Sequence, residues 1–487
     1  MITERRSMPG CTPFLIVLIL GLLGGAVGVT AFLGLGPNEL WARLNGRAAP
    51  VLIEVTPTPV MQIVGGAAAG RRLVWRAPIP LDSDTSEPEL LVISRNYDRK
   101  SDSVLLFSPD AGKVRWESPP LGDNGNSWVV AASAQTVIIA DEATLIGISR
   151  SDGSKLWEAP LTDRVFYNGC VDCLQVFGDV VVVLSDDGQL QAFNTAKGAP
   201  LWTIRLNQAT RQLVRVGDKV GVPDSLTKDG SDAGLLVYDP LHGTLERTIE
   251  PTCKDEDASY EALPHYFDYI LAEPQTGSLY WMLQSTSCLL RIGTGTFGGE
   301  QRTYNEHFFS FDQSNALAAN GNVYISTNHE IYVAESQGQV RLLITNEDYT
   351  LKPLEARVDA LLVLAQRNRG SLRLELWLID PTTGAQRWTR VLSANDPING
   401  LYDDGDFAAH MLAESLVLIE QTEGPDAIHF ERLSLSNGTS SVSTQLPVED
   451  ADESIRGVIW GNASAWLAVD VLYGVNLENG GTVMRWP

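Results

Sequence analysis

Two cysteines separated by two residues, Cys170 and Cys173, form the motif that most directly suggests chemistry in this sequence. Catalytic pairs of this spacing lie at a helix N-terminus, where the helix dipole stabilises a thiolate. Here the segment 174–185 that follows reads as a strand, and no second CxxC or pair of histidines lies nearby to complete a zinc site. The motif therefore predicts a structural disulfide rather than a redox or metal centre.

Four cysteines follow the N-terminal apolar segment: Cys170, Cys173, Cys253 and Cys288. An even number permits two disulfides in three pairings. Cys170 with Cys173 and Cys253 with Cys288 is the most economical pairing. Because residues three apart in a strand are about 10 Å apart, beyond the disulfide limit, the first pair requires a turn.

Other patterns that could carry chemistry are incomplete. The glycine-rich segment 293–298 lacks the helix that a dinucleotide site needs directly behind it. Acidic loops at 82–84, 255–257, 403–406 and 449–453 lack EF-hand spacing, so they read as solvated loops, although they could supply some calcium ligands. The six histidines form no HExxH pair, and no nucleophile elbow or phosphate loop is present. The sequence predicts no catalytic, cofactor-binding or metal site.

The sequence contains a repeated strand–turn segment. Four segments share an alternating apolar strand, a polar turn, a glycine, three residues and a tryptophan, and their pairs are Gly112/Trp116, Gly153/Trp157, Gly198/Trp202 and Gly384/Trp388. The chain ends on a related segment with one more residue between Gly481 and Trp486. Weaker copies occur near Gly243, Gly299, Gly338 and Gly438. Repeats of 40–50 residues with about four short strands each predict an all-β propeller of four-stranded blades.

These repeats resemble the PQQ-like, or quinoprotein-type, propeller family over roughly residues 71–487. The resemblance implies that the hairpin tryptophan docks against the neighbouring blade. We therefore expect the following residues to seal blades: Trp116, Trp157, Trp202, Trp388 and Trp486. It also implies about eight blades, whereas nine hairpin signals make nine the alternative. The strand-like segment 71–78 is expected to close the ring by pairing with the last blade.

An uncharged run of 22 residues at 14–35 is long enough to cross a bilayer, at ~33 Å if helical. We expect a short tail at 1–13, a transmembrane signal-anchor at 14–35, a flexible stalk at 36–70 and the propeller at 71–487. A cleaved signal peptide is the competing interpretation. The short tail favours a single-pass topology with the propeller on the extracytoplasmic side of the cell membrane.

The net charge of the chain indicates which classes of partner it can bind. The chain has 60 acidic and 36 basic residues, a net charge of −24, among 487 residues. Such a surface repels phosphates, so nucleic acid is not an expected partner.

The resemblance extends to the non-catalytic propellers of outer-membrane assembly factors, which hold partner proteins and bind no quinone. It implies a membrane-anchored scaffold that binds unidentified protein partners on a propeller face, with no cofactor and no enzymatic activity. The alternative is a PQQ-dependent dehydrogenase. That group has adjacent cysteines over the quinone and an acidic base beside calcium, and this sequence contains no Cys-Cys pair.

Overall fold

The computed structural model describes the following residues: 61–62, 71–73, 79–80, 89–96, 101–109, 112–123, 128–165, 173–207, 212–225, 233–250, 269–273, 277–283, 288–292, 302–305, 316–336, 339–368, 373–393, 407–421, 427–447, 455, 457–468 and 472–486. The chain divides into two compact units, Met1–Thr56 and Pro57–Pro487, and every described residue lies in the second. The expected anchor, 14–35, lies outside the described residues. In the ranges above, no helix combines the length and apolar character needed to cross a bilayer.

The described residues form strands and turns. A short strand, β1 (Met61–Gln62), precedes nine sheets, which we number in chain order. Sheets 1 to 3 contain β2 (Arg71–Leu73), β3 (Ile79–Pro80), β4 (Leu90–Asn96), β5 (Ser101–Ser108) and β6 (Lys113–Glu117); β7 (Val129–Ala132), β8 (Thr136–Asp141), β9 (Thr144–Ser149) and β10 (Lys155–Pro160); and β11 (Leu174–Phe177), β12 (Val180–Leu184), β13 (Gln189–Asn194) and β14 (Pro200–Arg205).

Sheets 4 to 6 contain β15 (Val214–Val216), β16 (Lys219–Ser225), β17 (Ala233–Tyr238) and β18 (Leu245–Ile249); β19 (Tyr269–Ala272), β20 (Leu279–Leu283), β21 (Cys288–Ile292) and β22 (Arg302–Asn305); and β23 (Ala316–Ala319), β24 (Asn322–Ser326), β25 (Glu330–Ala334) and β26 (Val340–Thr345). Sheets 7 to 9 contain β27 (Tyr349–Ala356), β28 (Leu361–Arg367), β29 (Leu374–Ile379) and β30 (Gln386–Val391); β31 (Phe407–Met411), β32 (Ser415–Gln421), β33 (Ala427–Ser434) and β34 (Ser440–Pro447); and β35 (Gly457–Trp460), β36 (Ser464–Ala468), β37 (Leu472–Asn476) and β38 (Thr482–Trp486).

Each sheet contains four antiparallel strands that pair in a meander, and in sheet 1 β2 and β3 both pair with β4. The middle strands are apolar throughout because both of their faces are covered; all five residues of β12 are buried. The fourth strand instead alternates between exposed and partly buried residues, as in β14. This division is expected for sheets stacked face to face with one edge in solvent.

The sheets pack in a closed succession. Hydrophobic clusters join sheet 1 to sheet 2, sheets 2 to 4 to one another, and each later sheet to the next. A further cluster joins sheet 9 to sheet 1 through Trp466, Leu472 and Phe107. The rings of Phe107 and Trp466 lie 5.3 Å apart. Four-stranded meanders that close on themselves make a β-propeller, so the predicted all-β fold class is confirmed to that level.

The described residues form nine sheets, so the expectation of eight blades is wrong and the alternative of nine fits. The difference is sheet 5, whose hairpin near Gly299 has no Gly-x-x-x-Trp motif. Its strands pair nonetheless, with Leu279 opposite Ile292 and Leu290 opposite Thr303. Backbone pairing of apolar segments is sufficient to form this blade without the sealing tryptophan.

The prediction that segment 71–78 closes the ring is also wrong. Within 71–78, β2 pairs antiparallel with β4 inside sheet 1, with Leu73 opposite Ser94. The strand that pairs with the last sheet is β1, which comes from the interval assigned to the stalk. It runs parallel to β38, with Met61 opposite Met484. Because the C-terminal segment supplies all four strands of sheet 9, an N-terminal strand can join only as a fifth, at the outer edge.

Candidate functional site

The tryptophans with intact motifs all contact the terminal hairpin (third strand, turn and fourth strand) of the next sheet. Each indole Nε1 donates to a backbone carbonyl in that turn, and the donor–acceptor pairs are Trp116 to Arg150 (2.7 Å), Trp157 to Thr195 (2.8 Å), Trp202 to Pro240 (2.9 Å) and Trp388 to Leu435 (3.1 Å). In every case the acceptor lies three residues before the glycine of the receiving turn. The four seams therefore repeat one geometry.

The receiving glycines make room for the indole. All four have positive φ, between 63° and 74°: Gly153, Gly198, Gly243 and Gly438. A Cβ atom would lie 2.6 Å from the Trp116 ring at Gly153 and 2.6 Å from the Trp202 ring at Gly243. The glycine of the motif thus receives the preceding blade, whereas the tryptophan of the same motif contacts the following blade.

Burial differs among these tryptophans. Trp116 and Trp388 are buried, at 7% and 8% exposure. Trp157 and Trp202 are only partly buried and pack at the margin of the large cluster shared by sheets 2 to 4. Burial is therefore not uniform among the four tryptophans.

Trp486 differs in strand register from the other four tryptophans. The terminal hairpin of each intact repeat has a bulge, after which the tryptophan pairs with the third strand; Trp202, for example, is opposite Ala192. In sheet 9 the residue at this register position is Met484, opposite Gly474. The turn glycine with positive φ is Gly480, not Gly481. The Trp486 side chain lies outside the described residues, so its sealing role stays a prediction.

Other side chains replace tryptophan at two seams. In sheet 6, Arg341 donates from Nη2 to the carbonyl of Pro381 (2.8 Å), three residues before Gly384. In sheet 8, Phe430 lies against Gly480, and Arg432 donates to the carbonyl of Glu478 (3.2 Å). The sequence analysis did not find these residues, because a guanidinium and an indole share a hydrogen-bond donor but no sequence pattern.

Acidic or amide side chains organise the receiving turns. Asp239 and Asp380 each accept hydrogen bonds at Oδ1 from two backbone N–H groups of their own turn. The hydrogen bond from Lys219 lowers the pKa of Asp239 to about 2. Donation from the Thr383 backbone, followed by Arg387, lowers the pKa of Asp380 to about 2. Asn194 makes the same turn contacts without a charge.

A second set of contacts joins neighbouring sheets at the opposite end, where each fourth strand leads to the next sheet. The backbone N–H of Thr162 donates to Gln191 (3.1 Å), that of Asn207 donates to Asp224 (2.9 Å), and that of Ser393 donates to Glu420. A related contact joins sheets 5 and 6 through the turns between their first and second strands, where fully buried Glu273 accepts from the Gly321 N–H (2.5 Å). All of these polar side chains satisfy backbone N–H groups of a neighbouring segment, which explains their burial.

One group of ionisable residues spans the first strands of sheets 7 to 9. The His410 ring stacks on Trp460 at 5.0 Å, and its Nδ1 lies 3.2 Å from Glu355. The same carboxylate accepts from the Met411 N–H (2.8 Å), and Arg357 donates to the Met411 carbonyl. First strands of propeller blades border the central channel. Because each polar group here has an interblade partner, the arrangement holds three strands together and shows no nucleophile paired with a base.

Cys173 is fully buried and forms a disulfide. Cys170 and Cys253 lie outside the described residues, and Cys288 is described by its backbone alone. The predicted pairing therefore stays a prediction. In the described part of the chain, no three His, Cys, Asp or Glu side chains come together as metal ligands.

Exposed leucines concentrate on three adjacent hairpins. Leu156 (49% exposed), Leu201 (40%), Leu241 (53%) and Leu245 (51%) lie on the terminal hairpins of sheets 2, 3 and 4. We call these four residues the leucine row. Exposed apolar groups that adjoin one another commonly mark interaction surfaces, so the row is the candidate binding surface of the described region.

A family model described as outer membrane protein assembly factor BamB, of the PQQ-like repeat type, matches residues 100–258. The match covers the last two strands of sheet 1, β5 and β6, and all of sheets 2 to 4. It confirms the resemblance to PQQ-like repeats in the segment with three of the intact motifs. No curated protein matches the chain in sequence.

Solved structures with a similar arrangement belong to several functional groups. BamB from Moraxella catarrhalis is 12% identical, with 85% of this chain and 97% of that chain covered and a TM-score of 0.38. Saccharomyces cerevisiae Sqt1 is 12% identical, with 78% and 97% covered and a TM-score of 0.44. The quinohemoprotein alcohol dehydrogenase ADHIIG from Pseudomonas putida HK5 is 11% identical, with 71% and 69% covered and a TM-score of 0.38. At these values the matches carry nothing about function.

Proposed function

We propose that this chain is a membrane-tethered, non-catalytic propeller that binds partner proteins on the extracytoplasmic side. The observation that carries the proposal is the match of residues 100–258 to the BamB model, whose description is that of a protein assembly factor. In this segment the recurring Gly and Trp residues make contacts between sheets, as the hydrogen bonds of Trp116, Trp157 and Trp202 illustrate. The motif chemistry is therefore structural, which leaves surface recognition as the function.

Two further observations support a location at the membrane with the propeller on the extracytoplasmic side. The uncharged run at 14–35 has the length of a membrane span. The buried disulfide of Cys173 is the kind of bond that persists in oxidising compartments. Both agree with a propeller exported across the membrane and retained by its N-terminal segment.

Photo-crosslinking in cells tests partner binding. A crosslinking residue is placed in the full-length protein at Leu201 on a hairpin, at Asp163 on the opposite end, and at highly exposed Val358. We expect a discrete crosslinked protein from at least one position. No product from any position would contradict the proposal.

Location is tested separately. The full-length protein should resist carbonate extraction, and protease added to spheroplasts should degrade the propeller. Complete protection of the propeller would place it on the other side of the membrane.

Reconstitution with the quinone and calcium tests the absence of catalysis and should give no bound chromophore. A chromophore together with alcohol oxidation would favour the dehydrogenase instead.

A further inference from the structure

The outer edge of sheet 8 differs from the other outer edges of the propeller. Its fourth strand, β34 (Ser440–Pro447), has eight residues and no charged side chain. Every other fourth strand has at least one charged residue, and one from each is Arg115, Glu158, Arg205, Arg247, Arg302, Arg341, Arg390 and Arg485. In sheet 9 the edge is also covered, because β1 pairs with β38. Since charged side chains usually protect an exposed edge, β34 is the one described outer edge with neither a charge nor a covering strand.

The β34 strand is regular and open to solvent over most of its length. After the bulge at Ser441, residues 442–447 pair with β33 without a shift in register. Ser443 and Gln445 are exposed, and no strand of the described residues pairs with the outer side of β34. Alternate residues of such an edge strand direct their N–H and C=O groups away from the sheet. These groups form a template for one more strand.

The charged residues directly behind this edge are engaged inside the propeller. Glu431, which is opposite Ser443, is 4% exposed and pairs with Arg390 of sheet 7 at 2.6 Å. Arg432 donates to the Glu478 carbonyl of sheet 9 at 3.2 Å. These side chains therefore point into the two seams of sheet 8, and the edge itself is neutral.

This neutrality selects a second copy of the chain as the added strand. Two identical edges pair antiparallel about a two-fold axis, so the residue on the axis lies opposite its own counterpart. A charged residue on the axis would face a like charge, which destabilises a cross-strand pair. The uncharged β34 strand avoids this in every register. A foreign strand imposes no such restriction, because opposite charges can be matched across the pair.

The N-terminal sequence favours the same partner. Within the expected anchor, 14–35, Gly21/Gly25 and Gly24/Gly28 have the GxxxG spacing of transmembrane helices that pair. Two chains joined in the membrane have a high effective concentration for each other, so a short strand pairing is sufficient to associate their propellers.

We propose that β34 pairs antiparallel with β34 of a second copy of this chain, forming a two-fold dimer. The pairing supplies hydrogen-bond partners to both exposed edges, and Ser and Thr side chains add cross-strand hydrogen bonds. Because no other described outer edge is both uncharged and uncovered, assembly stops at two copies. Self-association of this kind is independent of the proposed binding of other proteins.

Disulfide crosslinking of the full-length protein in membranes tests the pairing. Single cysteines are placed at Ser443, Thr444 and Gln445, and T389C is the matched control, because Thr389 has the register position of Ser443 on the charged edge of sheet 7. Residues opposite each other in an antiparallel pair are close enough for a disulfide. We expect a crosslinked dimer with the highest yield at the residue on the axis, and none from T389C or the wild type.

Charge reversal on the edge provides the second test. Differently tagged full-length copies are co-purified from detergent-solubilised membranes at low salt. S443K with itself and S443E with itself should co-purify about fivefold less than the wild type, and S443K with S443E should recover. S443A is the control, because it loses the contact between the Ser443 hydroxyl and His429 (2.8 Å) without adding a charge, and it should associate as the wild type does.

Three results would overturn the proposal. The first is a wild-type protein that does not associate with itself. The second is association that G25L removes and S443K leaves unchanged, which would assign the dimer to the anchor alone. The third is a crosslink from S443C to another protein with none to a second copy, which would assign the edge to a foreign strand. All Ser443 variants should keep the wild-type circular dichroism spectrum, because this side chain is exposed.

Discussion

At the scale of single residues, the receiving glycines combine a backbone requirement with a packing requirement. Gly198 has a φ of 63°, and its missing Cβ is the space that the Trp157 ring fills. Gly178, in the same sheet, has a similar φ of 58° but no neighbouring heavy atom within 4 Å of an added Cβ. The two positions therefore separate the cost of positive φ from the cost of crowding.

We expect Gly178→Ala to destabilise by about 1–2 kcal/mol, the usual cost of a left-handed conformation with a Cβ. Gly198→Ala should cost roughly 2–5 kcal/mol, because it adds displacement of the indole to the same backbone strain. Urea unfolding with tryptophan fluorescence measures both. Equal losses in the two variants would mean that the indole does not depend on the receiving glycine.

The turn carboxylates predict a specific loss of stability in acid. The folded-state pKa of Asp239 and of Asp380 is about 2, below the ordinary value of 3.8. A lowered folded pKa contributes stability above the unfolded pKa, and this contribution disappears as the pH falls from about 4 to about 2. The D239N/D380N variant should therefore lose less stability over this interval than the wild type.

The comparison has a natural control. Asn194 shows that an amide can accept the two turn hydrogen bonds, so D239N/D380N keeps these turn contacts and removes the carboxylate charges together with their ion pairs to Lys219 and Arg387. Conversely, the folding stability of N194D should fall more steeply in acid than that of the wild type. Urea midpoints at several pH values between 2 and 7 measure these changes, and identical profiles for all variants would contradict the assignment.

At the scale of structural elements, each of the four seams with an intact motif contains an indole ring and one hydrogen bond from its Nε1 to a backbone carbonyl. Trp388 is 8% exposed, so we expect Trp388→Ala to cost roughly 3–5 kcal/mol. Trp157 is less buried, so Trp157→Ala should cost less. Replacement by Phe keeps most of the ring contact and leaves the Leu435 or Thr195 carbonyl without its donor, at a cost of about 1 kcal/mol.

Val358→Ser is the control for these seam variants, because Val358 is 81% exposed and should tolerate the change. Thermal and urea unfolding provide the measurement. If Trp388→Ala and Val358→Ser had the same stability, the tryptophans would not seal the sheets.

The sequence predicted these hairpins well because strand, turn, glycine and tryptophan are local to one segment. It did not show that Trp157 meets Gly198, since that contact crosses between repeats whose separations vary. Arg341 was missed because its donor function has no repeated pattern, and Trp486 was aligned by residue type although Met484 has the register position. The leucine row was missed because exposure at a bulge depends on pairing register.

At the scale of the whole molecule, the contact between sheets 9 and 1 distinguishes a closed ring from an open stack. Trp466 is 2% exposed and packs on Phe107 across this seam. In a closed ring every sheet has two neighbours, so Trp466→Ala should cost roughly 3–5 kcal/mol, as much as Trp388→Ala. Hydrogen exchange should then increase in both sheet 1 and sheet 9. A loss well below that of Trp388→Ala, with sheet 1 already exchanging fast in the wild type, would indicate an open stack.

The seam between Phe107 and Trp466 also sets an order of events during biosynthesis. The two residues are 359 positions apart, so a ribosome at 5–20 residues per second makes the second about 20–70 s after the first. During that time the face of sheet 1 that includes Leu90 and Phe107 has no partner from its own chain, because this cluster is completed by Trp466 and Leu472. The nascent propeller therefore has one exposed apolar sheet face until Trp466 and Leu472 emerge, and a chaperone that covers sheet 1 would need to remain bound until that point.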